Sequence, residues 1–214
     1  MRNKKELSNI WQQVPPDYYQ RGISQNPMQW LWHTLKIRSF KNVIKGIPFL
    51  SVLDVGCAGG YMADRISKIF PESKVTGVDV YPAAVNFAKL KYPHINFTIS
   101  DAHNLPFHGN SFDLVICYET IEHVLEPKII LQEIRRVIKK DGFAVIAMDS
   151  GNLLFRMIWP VWEKTFGRAW QGAHLHPFHH NDLEKVIKEA GYKIVRKHFS
   201  HLGMEISFLL KKAG

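Results

Sequence analysis

The sequence lacks the features of secreted, membrane-spanning and disulfide-stabilised proteins. Among its 214 residues there are only 2 cysteines, Cys57 and Cys117, and both fall in predicted core elements, so we expect no disulfide scaffold. No stretch of about 18 apolar residues occurs, which argues against a membrane-spanning helix. The charged N-terminal residues are not followed by the apolar core of a signal peptide. These absences predict a protein of the reducing cytoplasm.

The sequence also has no long basic run and no arginine-rich arm, although its formal net charge is +9. Its lysines are spread among amphipathic helices and the two ends of the chain. Clustered cations mark nucleic-acid binding, so this distribution argues against a nucleic-acid partner. A dispersed basic surface also suits anionic small molecules or acidic lipid head groups.

A glycine-rich turn between a strand and a helix is the most informative feature that is present. Residues 52–55 are typical of a buried parallel strand, and residues 61–70 have the apolar spacing of an amphipathic helix. Such a unit brings a ligand close to bare backbone and to the N–H groups of the helix start. The dinucleotide pattern G-x-G-x-x-G fails, because Ala58 and Tyr61 occupy its later glycine positions. The lysine of a P-loop is also missing.

The turn fits the pattern D-x-G-x-(G)-x-G instead, read on Asp54, Gly56, Ala58 and Gly60. This pattern resembles the cofactor loop of the class I S-adenosylmethionine-dependent methyltransferases of the small-molecule type. In that family the loop wraps the methionine part of the cofactor. The resemblance therefore implies S-adenosyl-L-methionine as the cofactor, with Ala58 in the place of the usual glycine.

Three further segments match the family in the expected order. Asp79 ends a second predicted strand about 20 residues after the loop, the spacing at which a carboxylate reaches ribose hydroxyls. The string S-D-A-x-x-L-P-F around Asp101 and Ala102 resembles the family segment whose aspartate pairs with the adenine amino group. A fourth predicted strand, residues 112–117, ends beside the cofactor in the family. The resemblance also implies cofactor contacts from Cys57, Val80, Cys117, Tyr118 and Glu119.

Strands and helices are predicted to alternate along residues 50–214. The resemblance implies that these residues form the methyltransferase domain, with a substrate-side insertion at about 151–180, and that residues 1–49 form an N-terminal helical cap. The expected fold class is α/β: a Rossmann-like, seven-stranded, mostly parallel sheet with an antiparallel last strand and helices on both faces. A final hairpin of residues 192–200 and 204–211 would supply that strand. The local signals also predict helices over 28–44 and 127–139, a strand over 143–148 after a turn at Asp141-Gly142, and a helix capped by Asn181.

The segment after the fourth strand carries the first candidates for chemistry. On a helical turn Glu119, Glu122 and His123 would stand at i, i+3 and i+4 and share one face. The segment resembles the C-x-E-x-x-E-H-V stretch of the quinone O-methyltransferases, in which this triplet has been associated with a divalent metal that could bind a catechol-like substrate. Alternatively, Glu119 bonds locally and His123 packs beside the sheet or acts as a base. We assign no metal and take His123 as a catalytic candidate.

Four histidines lie between residues 174 and 180, a density that invites a metal interpretation. The H-E-x-x-H spacing is absent, and no cysteine lies nearby. The segment resembles the H-L-H-x-F stretch that covers the substrate side of the pocket in quinone-type methyltransferases. We therefore take His174 and His176 as catalytic candidates that line the pocket, and His179 and His180 as residues that flank the helix cap.

Residues 153–170 are rich in large apolar side chains mixed with arginine and lysine. Three interpretations compete: a lid over an apolar substrate, which we prefer, an interfacial helix on a membrane, or a dimer contact. The second would place the protein peripherally at the inner membrane face. Pro160 is expected to break a continuous helix. Near the N-terminus, Arg38 follows Asn26-Pro27 and Trp32-His33 in a segment that resembles the one before the core in the quinone O-methyltransferases. The resemblance makes Arg38 a candidate clamp for the cofactor carboxylate; the alternative is a solvated helix arginine.

These observations favour methyl transfer to an oxygen or carbon of a lipid-like, quinone-like or other small-molecule acceptor. The alternatives are a nucleic-acid or protein methyltransferase and a non-catalytic cofactor-binding module. The N/D-P-P-Y/F motif of amino-methylating enzymes is absent, because residues 117–120 read C-Y-E-T. Neither cysteine follows a proline, which excludes the nucleophile of the cytosine-C5 enzymes. The sequence does not indicate an oligomeric state.

Overall fold

The computed structural model describes residues 10–165, 175–176 and 178–213. Its strands form one seven-stranded sheet in the order β3-β2-β1-β4-β5-β7-β6. The strands are β1 (Ser51–Val55), β2 (Lys74–Asp79), β3 (Asn96–Ile99), β4 (Phe112–Tyr118), β5 (Ile138–Asp149), β6 (Tyr192–Ser200) and β7 (Glu205–Lys212). The first five pair in parallel, and β7 runs antiparallel to both β5 and β6. The predicted fold class, with its antiparallel last strand, is confirmed.

Helices cover both faces of this sheet, as predicted. The helices are α1 (Tyr18–Gln25), α2 (Pro27–Val43), α3 (Tyr61–Ile69), α4 (Pro82–Lys91), α5 (Pro127–Val137), α6 (Leu153–Thr165) and α7 (His180–Glu189). Strand side chains alternate between two cores: Val115 packs with α5 and α7, whereas Leu114 and Ile116 pack with α2, α3 and α4. The central strands are buried on both faces, which is why they are nearly continuously apolar.

Three predicted boundaries are wrong. α5 ends at Val137 and β5 begins at Ile138, because Ile138 pairs with Phe112 across a bulge, so the predicted turn at Asp141-Gly142 lies within a strand. α7 is capped by the His179 side chain, which accepts from the Asn181 backbone N–H. α6 continues through Pro160. The proline removes one helical hydrogen bond, to the carbonyl of Arg156, an exposed residue at which water can replace it.

Other local predictions hold. The Asn26 side chain accepts hydrogen bonds from the N–H groups of Met28 and Gln29, and Pro27 opens α2 as expected. Within the described part of the chain, no helix combines the length and apolarity needed to cross a membrane.

Candidate active site

The carboxyl ends of β1, β2 and β4 border a cavity of about 350 Å³. β1 lies between β2 and β4 in the sheet, and the order of the strands reverses beside it. In open α/β sheets this switch point is where ligands bind. The topology therefore brings the loops that follow three separate strands to one cavity.

The glycine-rich loop after β1 lines this cavity with backbone in left-handed conformations. Gly56 has φ 77° and Ala58 has φ 44°, a region that L-residues rarely adopt. The Ala58 N–H donates to Asp79 Oδ2 at 2.8 Å, which holds the alanine in this conformation. A Cβ on Gly56 would lie 2.2 Å from Thr120 Oγ1, so glycine is also required for contact with the loop after β4.

Two carboxylates face the cavity from the ends of neighbouring strands. Asp79 Oδ1 accepts from the Tyr81 N–H at 2.8 Å, so together with the bond from Ala58 both oxygens are fixed in place. Burial raises the pKa of Asp79, and the backbone donors Tyr81 and Ala58 oppose that shift. Asp101 Oδ1 lies 2.5 Å from His103 Nδ1 and also accepts from the His103 backbone N–H. The imidazole thus orients the Asp101 carboxylate.

A buried ion pair forms the wall at the end of β4. Lys36 Nζ lies 2.5 Å from Glu119 Oε2, and the two side chains are 7% and 22% exposed. Although burial opposes it, the Lys36 ammonium holds the pKa of Glu119 well below its ordinary value. Glu119 itself has φ 46°, which turns the chain sharply after the strand and aims its carboxylate at α2.

The predicted common face of Glu119, Glu122 and His123 is wrong. Only Ile121–His123 forms a short 3₁₀ turn, and the positive φ of Glu119 places that residue outside it. Glu119 and His123 line the cavity, whereas Glu122 is buried with neither carboxyl oxygen hydrogen-bonded. Among the described residues, no group of three or more His, Cys, Asp or Glu side chains is arranged to hold a metal ion.

The histidine-rich segment supports the turn that carries His123. His176 does not line the cavity; its Nε2 lies 3.4 Å from the Leu125 carbonyl oxygen, and its ring stacks on Phe178. The backbone N–H groups of Leu175 and His176 both donate to the Glu122 carbonyl. His174 lies outside the described residues.

The comparisons with known proteins agree with this geometry. A family model described as "Methyltransferase domain" matches residues 53–146. Demethylmenaquinone methyltransferase of Chlorobaculum parvum is 24% identical over 97% of this chain and 92% of that protein. Ubiquinone biosynthesis O-methyltransferase of Shewanella halifaxensis is 28% identical over 56% of this chain and 52% of that protein.

The domain match and the named relatives support a class I S-adenosylmethionine-dependent methyltransferase. A solved TehB-like SAM-dependent methyltransferase from Corynebacterium glutamicum shares the fold, with a TM-score of 0.61 and 18% identity over 86% of this chain and 96% of that one. The methyl donor of this methyltransferase is S-adenosylmethionine.

The donor set of the cavity fits that cofactor. A carboxylate has about four lone-pair sites, and the backbone N–H groups of Ala58 and Tyr81 use two of those of Asp79, which leaves capacity for ribose hydroxyls. Apolar side chains such as Val80 and Ala102 provide walls for a purine ring. The predicted residues that line the cavity are Gly56, Ala58, Asp79, Val80, Asp101, Ala102, Tyr118, Glu119 and His123.

The five other predicted cofactor residues do not line the cavity. Asp54, Cys57 and Cys117 are buried behind the loop in the sheet and its cores, and Gly60 is the N-cap of α3. Burial, with a further contribution from the Asp79 charge, raises the pKa of Asp54 to about 7. Arg38 is exposed, because the opposite face of α2 is the one that packs on the protein.

The cation that pairs with Glu119 beside the cavity is Lys36, which no sequence motif indicated. Two positions along a helix rotate a side chain by about 200°, so Lys36 and Arg38 lie on nearly opposite faces of α2. The spacing of Ile37, Phe40 and Val43, all buried, could have indicated the inner face of this helix. The distinction matters because only the inner face contacts the residues that follow β4.

A second set of missed residues comes from the N-terminal segment. Trp11, Pro15, Pro16 and Tyr19 line the cavity, and Tyr19 packs edge-on against His33. The aromatic richness of residues 1–49 was the available signal. By contrast, no residue of α6 lines the cavity, so the predicted lid finds no support in residues 153–165. Residues 166–170 of that stretch lie outside the described residues.

Proposed function

We propose that this methyltransferase methylates an oxygen or carbon of a small quinone-like acceptor. The observation that carries the proposal is a cavity in which the carboxylates expected to bind the cofactor, Asp79 and Asp101, lie with apolar and aromatic side chains and with His123. The names of two relatives, a demethylmenaquinone methyltransferase and a ubiquinone biosynthesis O-methyltransferase, support an acceptor of this class.

Each side chain then has a distinct task. When bound, S-adenosylmethionine supplies a methyl group on a positively charged sulfur. Asp79 binds the ribose hydroxyls, and Asp101 accepts from the adenine amino group. His123 accepts the proton of an acceptor hydroxyl, which is the general-base role that an imidazole fulfils near neutral pH. His176 acts through the backbone, because it steadies the turn that ends at His123.

The test is a methylation assay with purified protein and S-adenosylmethionine, offered a catechol, a short-chain hydroquinone, an RNA and a peptide, with products identified by mass spectrometry. We expect methylation of the catechol or hydroquinone. His123→Gln should lower turnover of a hydroxyl acceptor by about 10²–10⁴-fold with cofactor affinity unchanged. Asp79→Ala is the matched control. It should weaken cofactor binding by about tenfold or more and so lower the methylation of every acceptor.

Two results would contradict this function. Methylation of only the RNA or the peptide would assign the enzyme to a macromolecular substrate class. A His123→Gln variant with full turnover of hydroxyl acceptors would remove the histidine from catalysis.

We also propose that α6 contacts an anionic membrane surface, where a lipid-like acceptor would reside. Leu153, Met157 and Val161 are 75%, 62% and 64% exposed, respectively. The rings of Phe155, Trp159 and Trp162 stack in sequence along the helix, with centroids 5.2 and 4.8 Å apart. An amphipathic helix with exposed apolar residues, aromatic rings and basic side chains suits the interface between water and lipid.

Binding to vesicles tests this contact. The wild type should bind vesicles that contain anionic lipid, less strongly in high salt, and Met157→Ser with Val161→Ser should reduce binding by about tenfold because two exposed apolar side chains lose their lipid contact. Replacing the exposed Leu90 of α4 by serine is the matched control and should change nothing. Equal binding by the wild type and the α6 variant would leave α6 without a role at membranes.

A further inference from the structure

The N-terminal segment is held against the cofactor loop by a few identifiable contacts. We define residues 11–20, which include the first turn of α1, as the strap. Trp11, Pro15 and Pro16 of the strap line the cavity together with Ala58 and Asp79. The strap is therefore one wall of the same cavity that holds the predicted cofactor ligands.

One side chain fastens the strap to two separate parts of the domain. Gln20 Nε2 donates to the Gly59 carbonyl at 2.7 Å and to Tyr92 Oη at 3.2 Å. Gly59 belongs to the loop after β1, and Tyr92 is the C-cap of α4. Gln20 thereby links the strap to the loop that borders the cavity and to the helix that follows β2.

The backbone of the strap also approaches the loop closely. A Cβ on Gly59 would lie 2.3 Å from the Pro16 carbonyl oxygen and 3.4 Å from Gln20 Nε2. Gly59 does not have a positive φ, so its own backbone would accept a side chain. The Pro16 carbonyl is the nearest obstacle to one, followed by Phe87 Cδ1 of α4 at 3.3 Å. The pattern D-x-G-x-(G)-x-G leaves this position open. The contact with Pro16 gives a physical reason for glycine there.

The strap is otherwise weakly buried. Of residues 11–20 only Val14 is buried, and the others are partly or fully exposed. Segments with few buried contacts open at a small fraction of the free energy of global unfolding. The two bonds made by Gln20 contribute to holding the strap in place, together with ring contacts such as that between Tyr19 and His33.

We propose that the strap must open for each exchange of the cofactor, and that Gln20 is the positioning residue that holds it closed. The proposal rests on the assignment of the cofactor to this cavity. With the strap closed, Trp11, Pro15 and Pro16 form a wall of the cavity and shield it from solvent. Release of the demethylated product then requires the Gln20 bonds to break.

The dissociation rate of the demethylated product, S-adenosylhomocysteine, tests the proposal. It can be followed in stopped flow by tryptophan fluorescence, since Trp11 lines the cavity. Gln20→Ala removes both neutral hydrogen bonds and should increase the dissociation rate about 3–10-fold. Gly59→Ala should also increase the dissociation rate, because its Cβ would displace Pro16 from the loop. Hydrogen exchange of residues 11–20 should be slowed by the product in the wild type and less so in Gln20→Ala.

Two control variants separate this role from a general structural one. Gln132→Ala lies at an exposed position of α5, and Gly109→Ala meets no atom nearer than the Arg136 carbonyl oxygen at 3.3 Å. Both should release the product at the wild-type rate, and Gln20→Ala should melt at the wild-type temperature without ligand. If Gln20→Ala and Gly59→Ala bind the product and release it at the wild-type rate, the proposed role of the strap is overturned and the cofactor assignment stands. Failure of the wild type to bind the product overturns the cofactor assignment and the strap with it.

Discussion

Replacing Lys36 by methionine is expected to destabilise the protein by about 3–5 kcal/mol, because it leaves the Glu119 carboxylate buried without its partner. The pair is separated by 2.5 Å, and only 7% of the lysine side chain is exposed. Burial opposes the charge on Lys36, yet Glu119 and Glu205 raise the pKa of the ammonium above its ordinary value. Methionine conserves the volume of the stem, so the loss is electrostatic rather than a cavity effect.

Urea unfolding at neutral pH measures this effect. The double variant Lys36→Met with Glu119→Gln removes both charges and should recover at least half of the loss. Lys188→Met is the matched control: Lys188 pairs with Glu184 at 2.8 Å but is 61% exposed, and Glu184 also pairs with Lys197. Lys188→Met should lower the free energy of unfolding by less than about 1 kcal/mol. A Lys36→Met variant as stable as this control would show that the ion pair contributes little.

The second large effect concerns the pH dependence of stability, through Glu122. Burial, with a further contribution from the Glu119 charge, raises the pKa of Glu122 from 4.5 to about 8. The folded protein therefore keeps this carboxyl protonated in a range in which the unfolded chain has already lost the proton. Between these two pKa values unfolding releases a proton, so stability falls as pH rises.

Glu122→Gln removes this titration and should become more stable than the wild type as pH rises. We expect nearly equal stabilities at about pH 4–5 and an advantage of roughly 2–4 kcal/mol for the variant at about pH 9. Unfolding free energies measured by urea across this range give the comparison. Burial also raises the pKa of Glu205, to about 7. Glu205 therefore adds a similar pH dependence to the unfolding free energy of both proteins, and its contribution cancels in their difference. Parallel curves for the two proteins would contradict a protonated Glu122.

Glu119 and Glu122 illustrate what the local sequence pattern fails to predict. Helical spacing placed Glu119, Glu122 and His123 on one face, but the chain at Glu119 adopts φ 46°. The ion pair with Lys36 and the packing of the loop on Gly56 compete with helix formation at this position. Likewise, the turn predicted at Asp141-Gly142 lies within β5, because pairing of Ile138 with Phe112 outweighs the local turn signal.

The sequence by itself determined the order of strands and helices, the glycine loop after β1 and the position of Asp79 at the end of β2. These features depend on residues close together in the chain: apolar periodicity, glycine and proline signals, and the fixed rule that parallel strands end at one edge. The family resemblance depended on the same short segments. Periodicity also defines the inner face of α2, although it does not say what that face contacts.

Only the tertiary structure decided which side chains meet. It brought Lys36 to Glu119, Gln20 to Gly59 and the backbone of residues 175–176 to Glu122, and it placed Cys57, Cys117 and Arg38 away from the cavity. Each of these outcomes depends on how elements distant in sequence pack together. The free energy of a buried charge or hydrogen bond is set by its partner and by its exposure to water, and neither is written in the local pattern.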